Sequence, residues 1–187
     1  MDIIDSHQDI QNRLLEWFRE NGRHWIPWKL KKDRSIPKSG EILSPYGIWI
    51  AEVMLQQTQL KIVIPYWENW MKMFPSLADL AKADLQNVLL IWQGLGYYAR
   101  AKRIHQSSKV LIDYIGKNRE QDPCSWPDGI DLWMSLPGIG RSTAGSIISS
   151  AFDLPTPILD GNVKRILSRL LATERTSTKE EKKIMGI

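Results

Sequence analysis

Apolar residues recur at helical spacing along this chain, and glycine and proline interrupt the pattern at short intervals. Residues 8–20 show the pattern clearly, and Asn21-Gly22 ends it. No sustained alternation of apolar and polar residues, as in a half-buried strand, occurs anywhere in the sequence. This combination predicts an all-α fold made of short helices joined by tight turns.

Glycine, proline and capping residues delimit the other predicted helices. Ser76 and Asp84 are side chains that favour a helix N-terminus. Residues 23–45 and 116–129 are rich in proline and glycine and are predicted loops. The predicted helices cover residues 47–64, 66–73, 76–81, 84–92, 98–115, 130–135, 142–152 and 161–172.

The composition excludes several classes of protein. The 187 residues are 43% apolar and 25% charged, which is typical of a globular chain and not of a disordered one. Charged residues break every apolar run, so no membrane-spanning helix is predicted, and the acidic N-terminus does not resemble a signal peptide. A single cysteine, Cys124, excludes an internal disulfide and a cysteine-built metal site within these residues. We expect a cytoplasmic protein.

The positive charge is concentrated in two segments. The chain carries a net charge of +4, whereas residues 97–119 alone carry +5 and residues 29–44 carry +3. Such segments on a near-neutral body favour a polyanionic partner. Two solvated surfaces would give the same counts.

A glycine hairpin joins two of the predicted helices, with the sequence L-P-G-I-G-R-S-T-A at residues 136–144. Gly138 and Gly140 permit a left-handed turn and close approach of a backbone. The following helix then offers free N–H groups at its positive end, where a phosphate binds without base-specific contacts. Pro137 and Ile139 complete the turn. A plain corner between two helices is the alternative interpretation.

This hairpin resembles the helix-hairpin-helix of the DNA glycosylase superfamily that includes endonuclease III. The segment P-I-L-D-G-N-V-K-R at 157–165 places Asp160 where those enzymes carry an acidic residue. The segments E-V-M-L-Q-Q-T-Q at 52–59 and G-L-G-Y-Y-A-R at 94–100 resemble the adenine DNA glycosylase (MutY) family in particular. The resemblance covers about residues 8–172 and implies hydrolysis of adenine mispaired with 8-oxoguanine or guanine in double-stranded DNA, by a monomer associated with the bacterial nucleoid.

Two carboxyl groups suit the cleavage of an N-glycosidic bond. One must be protonated to assist the leaving base, and the other must be ionised to stabilise an oxocarbenium-like sugar. Glu52 has apolar neighbours that would raise its pKa, so the resemblance makes it the acid, although a solvated glutamate is the ordinary alternative. Asp160 begins a helix and by resemblance stabilises the sugar cation; a simple N-cap is the alternative, and the two roles are compatible.

Three further residues near this pair follow from the resemblance. Asn162 and Lys164 are neighbours of Asp160, and Lys164 is assigned to phosphate or to a supporting contact. Ser142 stands where relatives that also cleave the strand carry a lysine that forms a Schiff base. Arg141 cannot serve as such an amine because it stays protonated. The enzyme is therefore expected to be monofunctional.

The remaining matched positions belong to the expected DNA surface. The family contacts the base opposite the target, and fills the gap left by the extruded base, at positions matched here by Gln57, Thr58, Leu95 and Tyr97. Without the resemblance, Leu95 and Tyr97 would be assigned to the core. Arg100, with Lys102 and Arg103, is expected to line the phosphates, and a solvated helix face is the alternative for these cations.

The resemblance also implies a layout and shows where the chain departs from it. Residues 46–156 are expected to form a six-helix barrel with the hairpin at 130–152, while 1–45 and 157–187 supply an incomplete second helical layer. The family's 4Fe-4S cluster needs four cysteines, and none follows Asp160. We expect a truncated form that lacks a Nudix-like domain and has doubtful activity. A non-catalytic DNA-binding remnant, or a thymine-mismatch or endonuclease III-like glycosylase, remains an alternative.

Overall fold

The computed structural model describes residues 3–118 and 126–170. Within these ranges the chain forms helices and no strand, so the predicted all-α class is confirmed. No helix in them is both long and apolar enough to cross a membrane. The predictions for Cys124 and for residues 171–187 lie outside the described residues. The elements are α1 (Ile3–Asn21), a 3-10 turn (Pro27–Lys29), α2 (Pro45–Leu55), α3 (Leu60–Met73), α4 (Leu77–Lys82), α5 (Leu85–Ile91), α6 (Ala99–Asn118), α7 (Ile130–Ser135), α8 (Arg141–Phe152) and α9 (Gly161–Leu170).

Side-chain caps explain where several helices begin. The Ser44 hydroxyl accepts the N–H of Gly47 at the start of α2. Ser76 forms a reciprocal capping box with Asp79 before α4, and Asp84 accepts a backbone N–H before α5. These local signals allowed the short helices after residue 75 to be predicted from sequence.

The prediction of one helix over residues 47–64 is wrong. α2 ends at Leu55, Gln57 adopts a left-handed φ of 58°, and α3 then runs through Pro65, which the sequence suggested as a boundary. The carbonyls of Val53 and Met54, at the end of α2, accept hydrogen bonds from the guanidinium of Arg100. Arg100 is far from α2 in the sequence, so the local pattern of residues could not predict this contact at the helix end.

Helix α2 lies at the centre of the core. It packs against α3, α6, α8 and the 3-10 turn. Ile48, Trp49 and Ile50 in α2 are fully buried, and Trp49 lies 6.2 Å from the ring of Trp133 in α7. Five of the nine tryptophans are buried: Trp28, Trp49, Trp70, Trp92 and Trp133.

The basic loop between the 3-10 turn and α2 is tied to the end of α8. Asp153, which ends α8, accepts hydrogen bonds from the Gly40 N–H at 2.7 Å and from the Ser39 hydroxyl at 3.1 Å. The Leu43 N–H donates to the Ala151 carbonyl at 2.9 Å. The loop is therefore held against the helix that follows the glycine hairpin.

Trp70→Ala should lower the free energy of unfolding more than Trp17→Ala does. Trp70 is fully buried, donates through Nε1 to the Tyr46 hydroxyl at 3.1 Å, and packs edge-on against Trp92. Its loss should lower the free energy of unfolding by about 3–5 kcal/mol. Trp17 is 58% exposed, so Trp17→Ala should cost much less. Urea denaturation of both variants measures the difference, and equal costs would contradict this description of the core.

Candidate active site

Glu52 lies on α2 at the interface with α8. Its carboxyl group is half-buried and accepts a hydrogen bond from the Ser146 side chain on α8. Burial raises the pKa of Glu52 above its ordinary value of 4.5, and the Ser146 hydrogen bond and the positive charge of Lys29 oppose this shift only partly. The direction that the apolar neighbours predicted is confirmed. Burial thus favours the protonated form of this carboxyl group.

Asp160 caps the N-terminus of α9. Its Oδ1 accepts the backbone N–H groups of Asn162 at 3.0 Å and Val163 at 2.8 Å, so the N-cap interpretation is confirmed. The residue is exposed. Its carboxyl group therefore faces solvent at the positive end of a helix.

Helix α8 contacts both the helix that carries Glu52 and the connector that leads to Asp160. A Cβ atom built on Gly145 would lie 3.3 Å from the Pro157 carbonyl oxygen and 3.4 Å from Ile158. The lack of a side chain therefore lets the connector before Asp160 lie directly on α8. The next residue of α8, Ser146, binds Glu52. Neither Gly145 nor Ser146 was singled out from the sequence, because only the packing of three distant segments reveals them.

The glycine hairpin leads into α8 without a side-chain cap. Gly138 has a left-handed φ of 81°, and the Ile139 N–H closes the turn by donating to the Leu136 carbonyl at 3.2 Å. Gly140 is the N-cap, and no side chain there accepts the first N–H groups of α8. The exposed Arg103 side chain lies over the turn, 2.8 Å from where a Cβ on Gly138 would stand. Backbone N–H groups and a cation therefore lie together at the start of α8.

Gln56 joins α2 to this hairpin. Its Nε2 donates to the Gly138 carbonyl at 3.2 Å and to the Thr143 hydroxyl at 3.5 Å. Gln56 belongs to the matched segment at 52–59, but the resemblance predicts no role for it. The two following residues differ in exposure: Gln57 is exposed with its left-handed backbone, and Thr58 is half-buried.

Leu95 and Tyr97 are not equivalent. Leu95 is 7% exposed and belongs to the hydrophobic core. Tyr97 is 67% exposed and adopts a left-handed φ of 49°. The turn at 94–97 therefore buries the leucine side chain and leaves the tyrosine side chain exposed to solvent.

Arg100 is buried inside the protein. It is 6% exposed, and its guanidinium donates to backbone carbonyls of the α2 end and of the 94–97 turn. Burial lowers the pKa of Arg100, although an arginine remains protonated near neutral pH. The sequence assigned Arg100 to the same basic surface as Lys102 and Arg103, and only those two are exposed.

The other predicted positions lie on α8 and α9. Ser142 is half-buried in the first turn of α8. The side-chain Oδ1 of Asn162 accepts a hydrogen bond from the Arg165 guanidinium at 3.0 Å. Lys164 is half-buried on α9. Among the described residues, no group of three or more histidine, cysteine, aspartate or glutamate side chains could hold a metal ion. With one cysteine in 187 residues, this chain does not fit a four-cysteine cluster.

Two concave features flank these residues. A cleft lined by Trp49, Gln56, Arg103 and Gly138 encloses about 10 Å³, which is the size of one water molecule. A wider concavity of about 740 Å³ lies near the N-terminus of α2, beside Trp67. Neither contains both carboxyl groups, so we locate the candidate site from side-chain chemistry and not from cavity size.

Comparison with known proteins gives a consistent result. The profile of the HhH-GPD superfamily of base excision DNA repair proteins matches residues 50–186. The adenine DNA glycosylase of Buchnera aphidicola (Schizaphis graminum) is 42% identical over 156 residues, which cover 83% of this chain and 40% of that protein. The human adenine DNA glycosylase is 36% identical over 180 residues, or 95% of this chain and 31% of that protein. The chain therefore spans two fifths or less of the length of these relatives.

Solved structures share the fold at lower identity. A thermostable thymine-DNA glycosylase superposes with a TM-score of 0.72 at 19% identity, covering 89% of this chain and 69% of that one. A non-covalent endonuclease III–DNA complex gives a TM-score of 0.69 at 23% identity, covering 96% of this chain and 77% of that one. These similarities support the helix-hairpin-helix glycosylase fold expected from the sequence.

The half-buried Glu52 should make folding stability depend on pH. Its pKa is raised in the folded state, so the native protein holds a proton that the unfolded chain releases between the two pKa values. The contribution is fully present below pH 4.5 and is lost as the pH rises through the folded pKa. Glu52→Gln removes this dependence on pH. Each unit of difference between the folded and unfolded pKa changes the free energy of unfolding by about 1.4 kcal/mol.

Urea denaturation at several pH values tests this expectation. The stability of Glu52→Gln relative to the unmodified protein should increase between pH 4 and pH 8. Glu16→Gln, at an exposed position on α1, controls for the loss of one negative charge. A Glu52→Gln difference that does not change with pH would show that burial leaves this carboxyl group unaffected.

Proposed function

The chain belongs to the HhH-GPD superfamily of base excision DNA repair proteins, and from that membership we propose that it excises adenine mispaired with 8-oxoguanine or guanine from double-stranded DNA. The observation that carries the proposal is the arrangement on α8. One residue of this helix binds Glu52, the preceding residue seats the connector to Asp160, and its N-terminus follows the glycine hairpin. Adenine DNA glycosylases at 36–42% identity support adenine as the base removed.

The two carboxyl groups divide the chemistry. Glu52, with its raised pKa, donates a proton to a ring nitrogen of adenine as the bond between that base and C1′ breaks. Asp160 stabilises the positive charge that develops on the sugar and orients the water that attacks C1′. The water transfers a proton to the Asp160 carboxylate as the new C–O bond forms, and Asp160 then releases it to solvent. The products are free adenine and an abasic site.

Ser142 explains why the proposed reaction includes no strand cleavage. A Schiff base between enzyme and sugar requires an amine at the mouth of the site, and the chain has a hydroxyl at this position. Water is therefore the nucleophile, and the phosphodiester backbone stays intact. The enzyme is monofunctional.

Several exposed groups would hold the duplex. The N-terminus of α8 at Gly140 accepts a phosphate, and Lys102 and Arg103 add positive charge nearby. Tyr97 is exposed and aromatic, so it can fill the gap left by an extruded base, and Gln57 can contact the opposite base. Thr58 keeps its expected contact with the duplex, and Asn162 and Lys164 keep their supporting roles beside Asp160, as parts of the same proposal.

The proposal treats the 187 residues as one part of the activity seen in the longer relatives. A non-catalytic DNA-binding remnant is the second candidate, because the chain spans two fifths or less of those relatives. The division at residues 45/46 and 156/157, the monomeric state and a cytoplasmic location belong to the same proposal. No step is assigned to an iron–sulfur cluster, because these residues do not fit one.

Asp160→Asn and Glu52→Gln should each abolish base removal while duplex binding persists. Loss of one carboxyl group should slow excision about 100-fold or more, because general acid and charge stabilisation contribute at least that much. A single-turnover assay on a duplex with adenine opposite 8-oxoguanine, with and without alkali, measures excision and strand cleavage separately. Strand breaks should require alkali. Asp113→Asn, at an exposed position on α6, is the control.

Each outcome separates the candidates. Excision by the unmodified chain that both variants lose supports the two-carboxyl mechanism. Duplex binding without any excision favours the non-catalytic remnant. Strand cleavage without alkali at the rate of base loss would overturn the monofunctional assignment.

Gly138→Ala should weaken binding to every duplex by a similar factor. The left-handed φ of 81° disfavours any side chain by about 1–2 kcal/mol, and the new Cβ would meet Arg103 at 2.8 Å. Gly116→Ala is the matched control, since a Cβ there meets nothing within 4 Å. Fluorescence anisotropy over a range of salt concentrations measures both variants. A loss confined to one DNA sequence would contradict a role in phosphate binding.

A further inference from the structure

Two exposed turns carry the residues proposed to probe the duplex. Gln57 has a φ of 58° and Tyr97 a φ of 49°, and a non-glycine residue rarely adopts a left-handed backbone without outside support. The first turn joins α2 to α3, and the second precedes α6. The turns are distant in sequence, so their relative position depends on a contact between them.

The Arg100 guanidinium is such a contact. Nη1 donates to three carbonyls at the end of α2: Val53 at 3.1 Å, Met54 at 2.8 Å and Gln56 at 2.6 Å. Nη2 reaches the Thr58 hydroxyl at 3.2 Å, and it also reaches the second turn through the carbonyls of Leu95 at 3.3 Å and Gly96 at 3.4 Å. One planar group therefore binds both turns.

Aromatic contacts extend this connection to the exposed tyrosine. The guanidinium carbon of Arg100 lies 5.6 Å from the centre of the Tyr97 ring and 5.2 Å from that of Trp92. Trp92 donates through Nε1 to the Gly96 carbonyl at 2.8 Å. The cation thus supports the Tyr97 ring as well as the backbone that holds it.

None of the six acceptors is a carboxylate. The buried charge is therefore balanced by carbonyl dipoles, three of them at the negative end of α2. Displacing either turn would remove acceptors from a desolvated cation, which is costly. The position of one turn accordingly constrains the other.

We propose that Arg100 is a positioning residue that couples the Gln57 turn to the Tyr97 turn, so that the two probe the base opposite adenine as one unit. This inference rests on the proposed function, because it takes these turns as the surface that meets the duplex. Arg100 touches neither Glu52 nor Asp160 in the contacts described, so it acts on discrimination between opposite bases and not on the proton transfer.

Arg100→Lys is the sharpest test. Lysine keeps the positive charge, but its single ammonium group cannot span acceptors on two turns as a planar fork does. Hydrogen–deuterium exchange of the 187-residue chain should show faster amide exchange in both turns, at residues 56–59 and 94–98. Arg13→Lys is the matched control, because Arg13 is exposed and pairs only locally with Asp9. Faster exchange in one turn alone, or in neither, would overturn the coupling.

Duplex binding provides the second readout. The probe is a duplex whose adenosine carries a 2′-fluoro group, which disfavours the oxocarbenium ion and keeps the base attached. Arg100→Lys should lower the preference for adenine opposite 8-oxoguanine over adenine opposite thymine about tenfold, which is the size expected for lost hydrogen bonds to a charged group. An unchanged preference would overturn the specificity role.

The two readouts separate failure of this inference from failure of the proposed function. An unmodified chain that shows no preference between the two duplexes refutes the proposed substrate, and the exchange measurement then decides the coupling by itself. Arg100→Met guards against a compensating lysine contact. Its thermal unfolding is measured first, and a folded Arg100→Met that leaves exchange in both turns unchanged would also overturn the proposal.

Discussion

The packing of α2 against α8 is the interaction on which the other features of the molecule depend. Helix α2 is apolar around nearly its whole circumference, with Ile48, Trp49 and Ile50 fully buried. A helix of this kind is stable only when neighbours cover every face. Because α8 is one of those neighbours, the helix that carries Glu52 is held against the helix that follows the glycine hairpin. Glycine at position 145 then allows the connector to Asp160 to rest on the same helix.

Burial has different consequences for two ionisable side chains of this structure, Glu52 and Arg100. The carboxyl group of Glu52 responds by a raised pKa, which favours its neutral form. Arg100 cannot lose its proton near neutral pH, so its surroundings must supply acceptors, and Nη1 and Nη2 donate to five backbone carbonyls and the Thr58 hydroxyl. The first response favours the form of the carboxyl group that the proposed proton donation requires. The second orders two turns that local sequence would leave in unfavourable backbone conformations.

Several features of the site could be predicted because their cause is local. The glycine hairpin requires a left-handed residue, and Gly138 supplies it. Asp160 is the residue type that caps a helix, and it does so. Apolar neighbours around Glu52 predicted the direction of its pKa shift correctly. A matched segment does not show which of its side chains point inward, as the burial of Leu95 and Arg100 illustrates.

The sequence by itself therefore determined the helical class, the caps, the hairpin and the residue types available for chemistry, since each depends on neighbours a few positions away. The tertiary structure alone decided that α2 stops at Leu55, that Ser146 binds Glu52, and that Arg100 is buried between two turns. These outcomes depend on contacts between residues far apart in the chain. Helical periodicity describes one segment at a time, whereas a buried cation is stable only where several segments bring their carbonyl oxygens to the same point.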